Sequence, residues 1–133
     1  MFPVDHIGIA VTDLQSEIEN YKKNFQCELD LEEDVPSQKV KIAFLRTGNT
    51  LIELLTPTSP DATLAKFLST RGPGLHHICF RVPEIKAELA RLKALGHKLI
   101  DETPRPGAHH SLIAFVHPKS TGGTLIELCE RKA

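Results

Sequence analysis

Residues 50–54 read Thr-Leu-Ile-Glu-Leu, and residues 124–128 read Thr-Leu-Ile-Glu-Leu again. Each copy lies late in a half-chain that opens on an apolar run carrying a histidine, which marks the chain as a duplicated module. Sliding the sequence on itself by 71 positions sets His6 on His77, Val11 on Val82, Leu14 on Ile85, Ile18 on Leu89 and Phe44 on Phe115. Five residues separate Phe44 from Thr50 and eight separate Phe115 from Thr124, so three inserted residues move the offset to 74 for the last element. Each half therefore contributes one early histidine and one late glutamate. If the symmetry of a duplicated fold brings them together, His6, Glu53, His77 and Glu127 offer two nitrogens and two carboxylates to one ion.

Local patterns give each half the same order of elements. Residues 4–11 alternate with period two, which puts His6, Gly8 and Ala10 on one strand face. Thr12-Asp13-Leu14-Gln15 has the form of a helix cap, and Leu14, Ile18, Tyr21 and Phe25 follow at helical spacing. Strands are expected at residues 29–32, 40–46 and 51–56, the last two joined by a turn at Gly48-Asn49. A connection over residues 57–73 holds a short helix near 61–68. The second half repeats the order with a strand at 75–82 and a helix at 83–95, whose apolar face is Ile85, Leu89, Leu92 and Leu95 and whose stop is Gly96. Strands near 98–101, 111–116 and 124–129 complete it. The fold class is α+β: two tandem βαβββ modules, about 4–56 and 74–130, in one domain over residues 1–133.

Composition narrows the function. Sixteen basic and 17 acidic residues, spread along the chain, leave no basic footprint for nucleic acid. No apolar run has the length of a membrane span, and the first patterned segment follows Met1 almost at once, so the expectation is a cytoplasmic protein. Cys27, Cys79 and Cys129 are odd in number, lack CxxC spacing and lie within or beside apolar runs, as reduced buried thiols do, so neither a disulfide nor thiolate chemistry is expected.

Imidazole and carboxylate donors together suit a borderline divalent ion such as cobalt, nickel, manganese or zinc. In an octahedral ion, four protein ligands leave two positions for water or a bidentate substrate. A glutamate within Leu-Ile-Glu-Leu is costly to bury without a partner, which favours the same role for Glu53 and Glu127. Other histidines carry less: His76 falls on the strand face opposite His77, and His97 follows the helix stop and is expected in solvent. His109 and His110 lie in a loop after Pro104-Arg105-Pro106-Gly107-Ala108, a segment suited to a defined turn. Arg81 shares the face of His77, and the sequence leaves open where its head group goes.

Five segments carry a family resemblance: Asp5-His6-Ile7-Gly8-Ile9-Ala10-Val11, Gly48-Asn49-Thr50-Leu51-Ile52-Glu53-Leu54, Gly74-Leu75-His76-His77-Ile78, Pro104-Arg105-Pro106-Gly107-Ala108, and His117-Pro118-Lys119 with Gly123-Thr124-Leu125-Ile126-Glu127-Leu128. On them the chain resembles the vicinal oxygen chelate superfamily and, within it, the methylmalonyl-CoA epimerases. The resemblance implies a divalent metal held by His6, Glu53, His77 and Glu127, a coenzyme A thioester as substrate and a homodimer. Glu53 and Glu127 would then be the candidate catalytic carboxylates, one taking the α-proton while the other returns one on the opposite face. Arg105, Lys119 and the His109-His110 loop are the candidate coenzyme A contacts. Some of these epimerases carry a glutamate where this chain has Ile42 and a glutamine where it has Glu53, which moves a carboxylate from one strand to the next. The rival readings are a glyoxalase I-type isomerase or lyase on the same scaffold and a metal-free small-molecule binding module of the resistance type.

Overall fold

The computed structural model describes residues 1–132, and the chain divides into two compact units. One unit comprises residues 6–76; the other comprises residues 1–5 with the chain from His77 onward.

In the first unit, β1 (Val4–Ala10, entering from the other unit) is followed by α1 (Leu14–Phe25), β2 (Glu28–Val35), β3 (Val40–Arg46), β4 (Leu51–Pro57) and α2 (Thr63–Arg71). The sheet order is β2-β3-β4-β1, antiparallel except for the parallel pairing of β1 with β4. A parallel pair needs a crossover between its strands, and the chain supplies it as α1, β2 and β3. The helix begins where Asp13, in extended backbone, accepts a hydrogen bond from the Ser16 amide. The cap is therefore Asp13 rather than Thr12, because its carboxylate reaches the third amide beyond it. Leu14 and Ile18 are buried, whereas Phe25 is 66% exposed. The spacing puts Phe25 on the apolar face, but the helix ends there, and its ring lies 5.5 Å from that of Tyr21.

The second unit contains β5 (Gly74–Arg81, beginning in the first unit), α3 (Ile85–Ala94), β6 (Arg105–Pro106), β7 (Ser111–Val116) and β8 (Ile126–Arg131), in sheet order β5-β8-β7-β6 with β5 parallel to β8. The expected strand near 98–101 does not form. Leu99 makes one isolated bridge to Val116, and on the side of β7 away from β8 the regular partner is the two-residue β6. Pro104 and Pro106 remove two amide donors from this edge, so a ladder cannot extend through them. Leu95, expected on the buried face of α3, is 63% exposed at its C-cap. Gly96 follows with φ of 87°, the left-handed stop the sequence called for. The last strand starts at Ile126, two residues later than the pattern suggested.

The duplication is visible in the two cores. Beneath α1 pack Val11, Leu14, Ile18, Ala43, Leu45 and Leu54; beneath α3 pack Val82, Ile85, Leu89, Ala114, Val116 and Leu128, the same six positions one module later. Burying each large aliphatic side chain stabilises its module by about 1.5–3 kcal/mol. Strand alternation follows: with Leu54 and Leu128 turned to the helix, Glu53 and Glu127 are turned to the other sheet face.

Candidate functional site

Each unit holds one histidine–glutamate pair, built in the same way. In the first, His6 on β1 is 4% exposed and Glu53 on β4 is 7% exposed, with His6 Nε2 at 3.4 Å from Glu53 Oε1. In the parallel register Gly8 lies across from Glu53, so the carboxylate leans back diagonally toward His6 over a residue without a side chain. In the second unit, Cys79 lies across from Glu127, and His77 Nε2 is 3.1 Å from Glu127 Oε1, both residues buried.

Neither imidazole is left to choose its own orientation. The ring centres of Phe44 and His6 lie 5.2 Å apart, and those of Phe115 and His77 5.7 Å apart, both pairs in a T-shaped arrangement. Phe44 and Phe115 are themselves the cross-strand partners of Glu53 and Glu127. Each pair is thus walled by one aromatic ring that touches the histidine and sits opposite the glutamate. Phe44 and Phe115 share the offset of 71 that relates His6 to His77, and that shared offset is the sequence signal for their place beside the histidines.

A second layer supports the His77 pair. The Asp101 carboxylate accepts the Phe115 amide at 2.9 Å and lies 3.4 Å from Arg105 Nε, while the Arg105 guanidinium lies 5.7 Å from the centre of the Phe115 ring. Two residues beyond His77 and Glu127 come Cys79 and Cys129, both buried. Burial and the neighbouring Cys129 thiol push the Cys79 thiol far above its usual range. Beyond them, Arg131 grips the buried Asp5 carboxylate with two hydrogen bonds of 2.7 Å, and that contact holds the guanidinium charged. Arg81 resolves the open question of its direction: it is half exposed at the strand end, 3.9 Å from Asp5.

The other candidates fall away from the two pairs. His76 packs its ring against Phe67 at 4.8 Å. His97 is half-buried rather than solvated, bordering a cavity of about 190 Å³ with Phe80, Leu92, Val116 and Ile126. His109 and His110 are exposed, with φ of 59° and 57°, unusual left-handed backbone for two successive non-glycine residues. Lys119 is exposed on a 3-10 turn capped by the His117 side chain.

The donor set fits a divalent ion. Two buried carboxylates of Leu-Ile-Glu-Leu strands each have an imidazole nitrogen at hand, and these are the donors that borderline divalent ions take.

Comparison with known proteins gives four findings. The family model described as the glyoxalase/bleomycin resistance protein/dioxygenase superfamily matches residues 5–115. Ethylmalonyl-CoA/methylmalonyl-CoA epimerase of Cereibacter sphaeroides is 36% identical over 94% of this chain and 95% of its own length. Among solved structures, methylmalonyl-CoA epimerase from Mycobacterium tuberculosis is 39% identical, with a TM-score of 0.94 over 98% of this chain and 88% of that one. A methylmalonyl-CoA epimerase in complex with methylmalonyl-CoA and NH4+ is 34% identical, with a TM-score of 0.96 over all of this chain and 96% of the other.

Proposed function

Because the chain belongs to the glyoxalase/bleomycin resistance protein/dioxygenase superfamily, we propose that it interconverts the (R) and (S) forms of methylmalonyl-CoA, with its two modules acting as one domain. The observation that carries the reading is the repeated pair: His6 with Glu53 and His77 with Glu127, on equivalent strands in equivalent register. Relatives named as epimerases of this substrate, similar over nearly the whole chain, support the choice of reaction.

In this reading His6, Glu53, His77 and Glu127 together hold one divalent ion, of the cobalt, manganese, nickel or zinc class. When bound, such an ion supplies electrostatic stabilisation for the charge that develops on the thioester oxygen as the α-proton leaves. The protein's own groups handle the proton. One glutamate takes it from the α-carbon, leaving a planar carbanion whose electron pair is spread onto the carbonyl. The conjugate acid of the other then delivers a proton to the opposite face, which inverts the centre with no net change in the enzyme's proton count. Phe44 and Phe115 fix the imidazoles, so the carboxylates keep their places between turnovers. Arg105, tied to Asp101 and lying over Phe115, is the cation best placed to meet an anionic end of the substrate; Lys119 and the His109-His110 loop are further candidate contacts.

The protein works as a homodimer in the cytoplasm. Exposed Val4, Leu29 and Leu75 give apolar surface for a second copy to cover, and three buried free cysteines suit a reducing compartment. No helix among the described residues is long and apolar enough to cross a membrane. The test is to supply a single epimer of methylmalonyl-CoA and follow its approach to the racemic mixture by chiral analysis. Conversion should far exceed any isomerisation of a methylglyoxal-glutathione adduct; the reverse ratio would favour the glyoxalase-type reading. His6→Ala and His77→Ala should abolish it, and His97→Ala should not.

A further inference from the structure

The strand face that carries His77 and Glu127 continues into a second cluster of donors. Cys79 and Cys129 are each one alternation step further along β5 and β8, at 0% and 1% exposure. The Sγ atoms of the two cysteines and a carboxylate oxygen of Asp5, itself 5% exposed, all lie within 4.8 Å of one another. In the other module the matching positions are Gly8 and Leu55, so this cluster is not part of the duplicated design.

We propose that Cys79, Cys129 and Asp5 form a second cation site, selective for a soft closed-shell ion of the zinc, cadmium or copper(I) class. The spacing suits it: with zinc–sulfur bonds of about 2.3 Å, a tetrahedral ion sets its two sulfurs about 3.8 Å apart, within the 4.8 Å that bounds this cluster. Two thiolates and no imidazole is a soft donor set, which separates this site from the His–Glu pairs beside it. Asp5, held in place by two hydrogen bonds from Arg131, offers a carboxylate oxygen to the same ion. Binding breaks two S–H bonds and forms two sulfur–metal bonds, and two protons leave to solvent. With a divalent ion the ligands sum to one negative charge in excess, which Arg131 offsets. A hollow of about 420 Å³ lined by Pro3, Arg81, Val82 and Arg131 lies at the ends of the strands that carry this cluster.

The experiment uses the full chain stripped with chelator and titrated with cadmium, read by the ultraviolet thiolate-to-cadmium charge-transfer band. The band should appear and saturate in the wild type, in Cys27→Ser and in His77→Ala, and should be lost in Cys129→Ser and Cys79→Ser. Absence of the band in the wild type, its loss in Cys27→Ser, or its persistence in both other serine variants would overturn the assignment. Should the serine variants fold poorly, cadmium-113 resonance of the wild type decides alone. A resonance in the sulfur-ligand region supports the site, and resonances only in the nitrogen–oxygen region overturn it.

Discussion

Cys79 stands across from Glu127 in the pairing of β5 with β8, in the place that Gly8 takes across from Glu53 in the pairing of β1 with β4. One backbone frame thus surrounds two carboxylates with unequal side-chain volume. A branched side chain at position 8 would fill the space over which Glu53 leans toward His6. Gly8→Val is therefore expected to weaken divalent-ion binding at least about tenfold, the size of loss that follows when a ligand's supporting contacts are disturbed. Cys79→Ala removes volume instead and should leave binding within about threefold. Calorimetric titration of both variants checks this; equal affinities would mean that Glu53 does not need the space.

The carboxylates are separable from the ion by chemistry. Glu53→Gln and Glu127→Gln each keep an amide oxygen that can ligate, yet an amide cannot accept the α-proton. Each should retain bound metal while epimerisation falls by about two orders of magnitude or more. In single-epimer exchange experiments the two variants should show opposite stereochemical preference. Near-normal turnover in metal-loaded Glu127→Gln would remove Glu127 from proton transfer.

Much of this was legible from sequence because duplication makes a pattern testable against itself. The six equivalent core positions, and the two His–Glu pairs, are each one spacing observed twice. Periodicity failed at element ends: Phe25 and Leu95 keep the helical spacing of their buried neighbours but fall where the helix runs out of sheet to cover. It failed again near residues 98–101, where a β-prone run lost its ladder to prolines that follow it. The Asp5–Arg131 pair, 126 positions apart, was invisible because local pattern holds no information on which distant charges meet.

That pair gives a stability prediction. Removing Arg131 strips the buried Asp5 carboxylate of two hydrogen bonds and leaves Arg81 at 3.9 Å. Arg131→Met should destabilise the fold by about 3 kcal/mol, as expected for breaking a buried ion pair from one side. Adding Asp5→Asn to it should recover part of that loss. Urea midpoints of the two variants measure the difference, and a single variant as stable as the wild type would show that Arg81 suffices.

At the surface, Lys39 Nζ lies 2.5 Å from Asp61 and Ser59 also donates to that carboxylate, so Asp61 titrates below the usual carboxylate range. A folded-state value that is depressed means the contact contributes above the ordinary range and is lost as pH falls through the folded value. Carbon-13 resonance of Asp61 should therefore show a midpoint below the ordinary aspartate value that rises toward it in Lys39→Met. An unchanged midpoint would assign the depression to Ser59 instead.

Solvent deuterium entering the α-position of methylmalonyl-CoA tests the central claim most directly. Metal-loaded protein in deuterium oxide should label both epimers as they interconvert, chelator-stripped protein should label neither, and divalent ion added back should restore labelling. Interconversion without label, or labelling at full rate in demonstrably metal-free protein, would contradict metal-assisted proton transfer by Glu53 and Glu127.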